Sequence, residues 1–131
     1  MSDIDTVQAI YQAMATRDFD TLFQQIDERC VVTQDERLPW GGRHEGHDGV
    51  ATFALALTSN IDSKVEIEAI FEADGDVFQV GRTKGTVVAT GVPFDIAEVH
   101  RWTIEDGKAV RAHFAIDTPA MLEALTQPAE S

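Results

Sequence analysis

The run from Phe94 to Ile104 places Phe94, Ile96, Glu98, His100, Trp102 and Ile104 at alternate positions. In an extended strand a period of two puts these six side chains on one face of a sheet. A carboxylate and an imidazole therefore stand two residues apart among four large apolar groups. Polar groups on an apolar face cost free energy unless they are partnered, and a histidine beside a carboxylate in a dry site can move protons near neutral pH. Their Cα atoms are separated by roughly 6.6 to 6.8 Å in such a strand, so the two can pair directly, or each can hold water or substrate. The same pattern also fits a satisfied pair in a core or in a dimer interface.

Size and composition bound what can surround this pair. A chain of 131 residues can bury roughly two thirds of the surface its unfolded form exposes. Hydrophobic residues at 44% and charged residues at 25% are the proportions of a folded soluble chain rather than a disordered one. No stretch approaches the ~20 apolar residues of a membrane span. The acidic start, Met1-Ser2-Asp3-Ile4-Asp5, lacks the basic and apolar parts of a secretion signal. The lone Cys30 before Val31 and Val32 reads as a buried free thiol. Both features lead us to expect a cytoplasmic location. With 23 acids against 10 bases the formal charge is −13, which repels phosphate backbones, so no nucleic-acid partner is expected.

The elements that must position the pair follow from periodicity. Ile4, Val7, Ile10, Tyr11, Ala13 and Met14 predict a first helix, capped by Asp3 or Asp5. Arg17-Asp18 breaks it, and Phe19, Leu22, Phe23 and Ile26 predict a second, short helix. Cys30 to Thr33 is a short strand, and Gln34 to Gly49, with Pro39 and four glycines, a long loop. Asp48 is placed to cap a third helix carrying Val50, Phe53, Ala54 and Leu57 and ending near Ser59-Asn60.

From residue 64 the period changes to two. Strands are predicted over Val65 to Phe71, Val77 to about Ala89, Phe94 to Ile104 and Ala109 to Ile116. The turns between them are Asp74-Gly75-Asp76, Thr90 to Pro93 and Glu105 to Lys108. Thr118-Pro119 opens a closing helix with Met121, Leu122 and Leu125, and Gln127 to Ser131 is a frayed tail. Helices segregated from strands define an α+β class. The predicted architecture is a curved antiparallel sheet wrapped around the N-terminal helices, a cone-shaped α+β barrel with an internal pocket. Residues 1–126 form the one domain.

Particular residues also carry a family likeness. They are Val7 to Asp20, Pro39-Trp40-Gly41-Gly42 with Gly46 and Asp48-Gly49-Val50, Gly91-Val92-Pro93-Phe94, and Val99-His100 to Val110 with Asp117-Thr118. Over nearly its whole length the chain resembles the SnoaL-like branch of the nuclear transport factor 2-like superfamily, which includes ketosteroid isomerases, limonene epoxide hydrolases and polyketide cyclases. The resemblance implies a homodimer packed through the outer sheet face.

Three catalytic patterns come with the resemblance. The isomerases pair an aspartate base with a helical tyrosine and a protonated aspartic acid. Asp35 stands about where the base would be, and Tyr11 lies one residue beyond the tyrosine position. Val99 occupies the third position if the turn from Glu105 to Lys108 is aligned without a gap, and His100 if one residue is skipped. The acid is missing either way. The Asp, Arg, Asp set of the epoxide hydrolases is replaced by Gly81, Thr83 and Phe114. The late-strand aspartate of the cyclases is also replaced by Phe114, with Asp117 three residues further on.

These readings give a candidate site. His100 is the proton shuttle, Glu98 its orienting partner and Asp35 a second base, although Asp35 also reads as a solvated loop acid. Trp40, Tyr11, Phe53, Trp102 and Phe114 form the pocket wall. Arg82 is set either to hold an anionic group or to pair with Glu98, or else to stand at a sheet edge with Lys84. Asp117 reads as a pocket acid or as a helix cap. His44 and His47, three apart in a glycine-rich loop, lack a convergent third ligand, so neither metal nor cofactor is expected. The predicted function is a cofactor-independent acid-base enzyme of the isomerase, cyclase or hydratase type, acting on a small apolar molecule with a carbonyl or hydroxyl. The alternatives are a non-catalytic small-ligand-binding domain and a dimerising structural module.

Overall fold

The computed structural model describes residues 2–129. Helix α1, Asp3–Thr16, opens with a capping box in which the Ser2 hydroxyl accepts from the Asp5 amide while the Asp5 carboxylate accepts from the Ser2 amide, both at 3.1 Å. The cap is thus Ser2, where the sequence pointed to Asp3 or Asp5. Arg17, at φ 55, ends the helix in the left-handed region. Asp18 then caps α2, Phe19–Gln24, by accepting from the Thr21 amide.

Ile26, predicted to finish that helix, instead begins strand β1, Ile26–Gln34. Its pairing with Ala109 outweighs the helical stripe. The predicted long loop holds a further strand, β2, Gly42–Glu45, antiparallel to β1. Between them the chain folds back so tightly that a Cβ on Gly41 would lie 1.8 Å from the Asp35 carbonyl oxygen, so only glycine fits there. Helix α3, Gly46–Asn60, starts before Asp48, which lies in its first turn and does not cap it.

Four long strands follow: β3, Ile61–Ala73; β4, Asp76–Val87; β5, Pro93–Glu105; and β6, Lys108–Ile116. The β3–β4 and β5–β6 connections each place two successive residues at positive φ, Asp74-Gly75 and Asp106-Gly107. Two-residue hairpin turns of the mirror-image type require this, because their twist matches that of the flanking strands. Helix α4, Thr118–Thr126, closes the chain with Pro119 in its first turn. Residues 127–129 of the expected tail carry no helix or strand, and 130–131 lie outside the described residues.

The six strands form one sheet in the order β2-β1-β6-β5-β4-β3. All neighbours are antiparallel except β1 and β6, which run parallel. The sheet curves but does not close, with β2 and β3 as its two edges. Bulges at Ile67/Ala69 and Thr103/Ile104 add local twist and bend. Helix α1 packs across β3, β4 and β5, while α3 packs on β1, β2 and β3. The core lies in this concavity, and Val7, Ile10, Cys30, Ala109, Ala112 and Met121 are fully enclosed in it.

Candidate functional site

Strand β5 alternates buried and exposed along its length, and Phe94, Ile96, Glu98, His100, Trp102 and Ile104 are all buried. The concave face therefore carries the carboxylate and the imidazole. Register fixes their neighbours. His100 lies between Gln79 on β4 and Phe114 on β6, Glu98 between Gly81 and Ile116, and Trp102 between Val77 and Ala112. Tyr11, buried on α1, reaches this face from above.

The hydrogen bonds have a fixed sense. An indole N–H can only donate, and Trp102 Nε1 donates to the Tyr11 hydroxyl at 2.9 Å. Gln79 Nε2 also approaches the Tyr11 oxygen, at 3.3 Å. The single phenolic proton is thus directed to His100 Nδ1, 2.6 Å away. With Nδ1 accepting, the neutral imidazole carries its proton on Nε2, which faces Glu98 Oε2 at 3.5 Å. The same carboxylate oxygen accepts from Gln79 Nε2. No protein hydrogen bond reaches Glu98 Oε1 among the described residues.

Tyr11, Glu98, His100 and Trp102 of this cluster line a cavity of about 930 Å³, whose wall also carries Gln34, Thr83 and, toward the end of α1 and β3, Arg17, Asp62, Lys64 and Glu68. The rest of the wall is largely apolar and aromatic. Trp40 lines it with its indole N–H donating to Gln34 Oε1 at 2.8 Å. Phe114 packs against Phe53 and His100, with ring centres 5.7 and 4.6 Å apart.

Burial shapes the titration of all three polar groups. Desolvation raises the Tyr11 hydroxyl well above its ordinary value. It also raises the Glu98 carboxyl, against the opposing pull of the Gln79 hydrogen bond. Burial, followed by the charge of His113, pushes His100 down from 6.5 to about 3. At neutral pH the imidazole is uncharged, and the carboxyl is a stronger base than a solvated one.

The pH dependence of stability follows in sign. Between pH 6.5 and 3 the unfolded chain protonates a histidine that the folded chain keeps neutral. Its contribution is present above 6.5 and is lost as pH falls, at no more than about 1.4 kcal/mol per pH unit. Glu98 works oppositely, contributing below its unfolded value and losing that contribution as pH rises through its raised folded one. The unfolding free energy of His100→Gln should therefore fall less steeply than that of the wild type between pH 6.5 and 3. Equal slopes in urea titrations across that window would contradict the buried neutral imidazole.

Of the residues singled out in the sequence, Glu98, His100, Trp40, Tyr11, Phe53, Trp102 and Phe114 line the cavity. Asp35, Arg82 and Asp117 do not, and their placement there is corrected. Asp35 is held by Arg37 through contacts of 2.7 to 3.2 Å that bring its carboxyl down to about 2, leaving a very weak base outside the cavity. Arg82 shares the outer face with Phe78 and Val80 and pairs with Asp95 there. Asp117 caps α4 by accepting from the Ala120 amide at 3.2 Å. His44 and His47 turn Nε2 to backbone carbonyls, of Trp40 and Gly41 and of Ile26 respectively.

Gln79 is absent from the sequence reading. Counting back through the β4–β5 hairpin would have found it, since that register sets it opposite His100 on the concave face.

A curved mixed sheet folded over N-terminal helices, with a polar cluster inside an apolar cavity, defines the NTF2-like class of α+β domains. Within that class the chain belongs to the SnoaL-like domain family, whose model matches residues 7–112. An NTF2-like protein of unknown function from Burkholderia pseudomallei K96243 is 25% identical, with a TM-score of 0.88 over 97% of this chain and 100% of that one. A second NTF2-like protein, from Burkholderia thailandensis E264, is 23% identical, with a TM-score of 0.88 over 97% and 99%. TerC, co-crystallised with polyporic acid, is 23% identical, with a TM-score of 0.87 over 95% and 98%. No curated protein matches the chain.

Proposed function

We propose that this protein is a cofactor-independent acid-base enzyme of the isomerase or cyclase kind, acting on a small, flat, largely apolar molecule that bears a carbonyl or hydroxyl. The observation that carries this reading is the buried Glu98–His100 pair on the wall of the aromatic cavity. The hydrogen-bond directions exchange the two roles anticipated from sequence. His100 Nδ1 is occupied by Tyr11, and an imidazole pushed down to about 3 is a poor base. Glu98, raised by burial and with Oε1 free of hydrogen-bond partners among the described residues, is the group that takes a proton from the substrate and returns it at another atom.

The 3.5 Å separation of His100 Nε2 from Glu98 exceeds ordinary hydrogen-bond length, so the Nε2 proton is available to a substrate oxygen on which negative charge develops. Trp40, Phe53, Trp102 and Phe114 offer flat faces to a ring-shaped ligand. Among solved relatives, TerC was co-crystallised with polyporic acid. Small cyclic ketones such as indanone and tetralone in heavy water provide the test. The wild type should accelerate deuterium uptake beside the carbonyl. A ketone that shifts the Trp40 indole resonance, and so occupies the cavity, yet exchanges no faster than in buffer would leave a binding domain only.

The same proposal takes residues 1–126 as one domain, cytoplasmic and paired through the outer sheet face. No described helix is long and apolar enough to cross a membrane. Cross-strand register aligns Ala69, Val80, Val99 and Ala115 in one apolar row on the convex side, and Val99 is 41% exposed. Beside it Phe71 stacks on Phe78. Burying such a row favours a second copy. Sedimentation should show a dimer that Val99→Glu converts to monomers; a wild-type monomer at micromolar concentration would remove this part of the proposal.

A further inference from the structure

We propose that Gln79 is a positioning residue that holds Glu98 in its ionised, proton-accepting form, committing its NH2 group to the carboxylate while its own carbonyl oxygen stays without a partner. The inference rests on the acid-base reading of Glu98. Gln79 is fully buried, and its Oε1 is the one enclosed side-chain polar atom without a hydrogen bond among the described residues. A buried carbonyl left in that state is unfavourable, so the orientation must be imposed by what surrounds the other end of the amide.

Three acceptors surround Nε2. They are Glu98 Oε2, the Tyr11 oxygen at 3.3 Å and His100 Nδ1 at 3.4 Å. Trp102 fixes the middle member, because its indole N–H already donates to the Tyr11 oxygen and the phenolic proton is used on His100. Turning the amide over would set Oε1 against a carboxylate oxygen and two further acceptors, which is repulsive. The reversed orientation becomes favourable only when Glu98 carries a proton that Oε1 can accept. At its outer end the carboxamide is confined by Gly81, where a Cβ would stand 2.5 Å from Gln79 Oε1 and 2.1 Å from the Glu66 carbonyl oxygen.

The other surroundings of Glu98 make Gln79 the main counterweight to burial. Tyr11 from α1 and His100 from its own strand are the titratable groups within this network, and both are uncharged at neutral pH. Strand β6 presents Ile116 and Phe114, α4 presents Met121, and β3 sets Ile70 opposite Gln79. Cys30 adds a thiol raised to about 11 by burial, and His113 acts on His100 from the outer face. The charged members of the wall, Arg17, Asp62, Lys64 and Glu68, belong to the end of α1 and to β3 and make no hydrogen bond to Glu98.

The test needs no substrate. In protein labelled with carbon-13 glutamate, the Glu98 carboxyl is assigned by its loss in Glu98→Gln and titrated by NMR. Gln79→Met keeps the length of the side chain and removes the donor, and it should move the Glu98 midpoint up by about one pH unit or more. An unchanged midpoint in the folded variant would overturn the proposal. If the variant does not fold, the wild type supplies the second reading. The side-chain amide resonances of Gln79 should shift with the same midpoint as the Glu98 carboxyl, and amide resonances that stay flat through it would equally overturn the role. Should ketone exchange survive Glu98→Gln while the midpoint moves in Gln79→Met, the reading of Glu98 as the general base falls and the hold of Gln79 on Glu98 stands.

Discussion

Replacing Glu98 by glutamine should lower proton exchange into a bound cyclic ketone by about 10²- to 10⁴-fold, the usual worth of a positioned general base. The substitution is chosen to leave the fold in place. A glutamine carbonyl at this position can accept from Gln79 Nε2 and from His100 Nε2, the two donors that Oε2 now faces. What disappears is the titrating proton, together with the anionic charge that burial makes basic. Initial rates of deuterium uptake, measured beside a urea unfolding curve for each protein, separate loss of chemistry from loss of structure. Wild-type rates in the folded variant would move the reaction to another group.

Trp40→Ala should be the most damaging of the single truncations around the cavity, at about 3–5 kcal/mol. Trp40 is 1% exposed and is among the largest fully buried side chains. It anchors the turn between β1 and β2 and forms part of the cavity wall. Its indole N–H also satisfies Gln34 Oε1 at 2.8 Å. Trp40→Phe retains most of the ring area and loses that hydrogen bond, for which about 1 kcal/mol is expected. Urea midpoints of the two variants would therefore divide packing from polar contact. A cost below about 1 kcal/mol for the alanine variant would mean that the cavity wall collapses to fill the space.

How far the sequence foretold these features depended on whether a signal was local. The inward face of β5 was legible because its six members alternate with exposed or half-buried neighbours, among them Asp95, Arg101 and Thr103. The hairpins at Asp74-Gly75 and Asp106-Gly107 were legible for the same reason, since two adjacent residues determine the turn. Strand β2 was not. Its four residues lie in a glycine-rich stretch, and only their pairing with β1 makes them a strand. Ile26 fitted a helical stripe until Ala109, far along the chain, supplied a partner.

The site divides in the same way. Glu98, His100 and Trp102 share one strand, so their alignment needs no tertiary information. Tyr11 was reached through family likeness, and its contact with His100 joins residues 89 apart in sequence. Arg82 went to the wrong side because the inward face of β4 cannot be chosen without its register against β5, and that register is what brings in Gln79. Asp35 and Asp117 have the residue type for acid-base work, but each satisfies itself locally, with Arg37 and with the start of α4.

The central claim is that Glu98 and His100 handle the reacting atoms of a ligand inside the cavity. A crystal structure with indanone bound addresses it most directly. The account predicts the ketone oxygen within hydrogen-bond distance of His100 Nε2, the carbon beside the carbonyl facing Glu98 Oε1, and the ring against Trp40 and Phe53. A ketone seated in the cavity with both polar groups untouched, or on the outer face of the sheet, would contradict it.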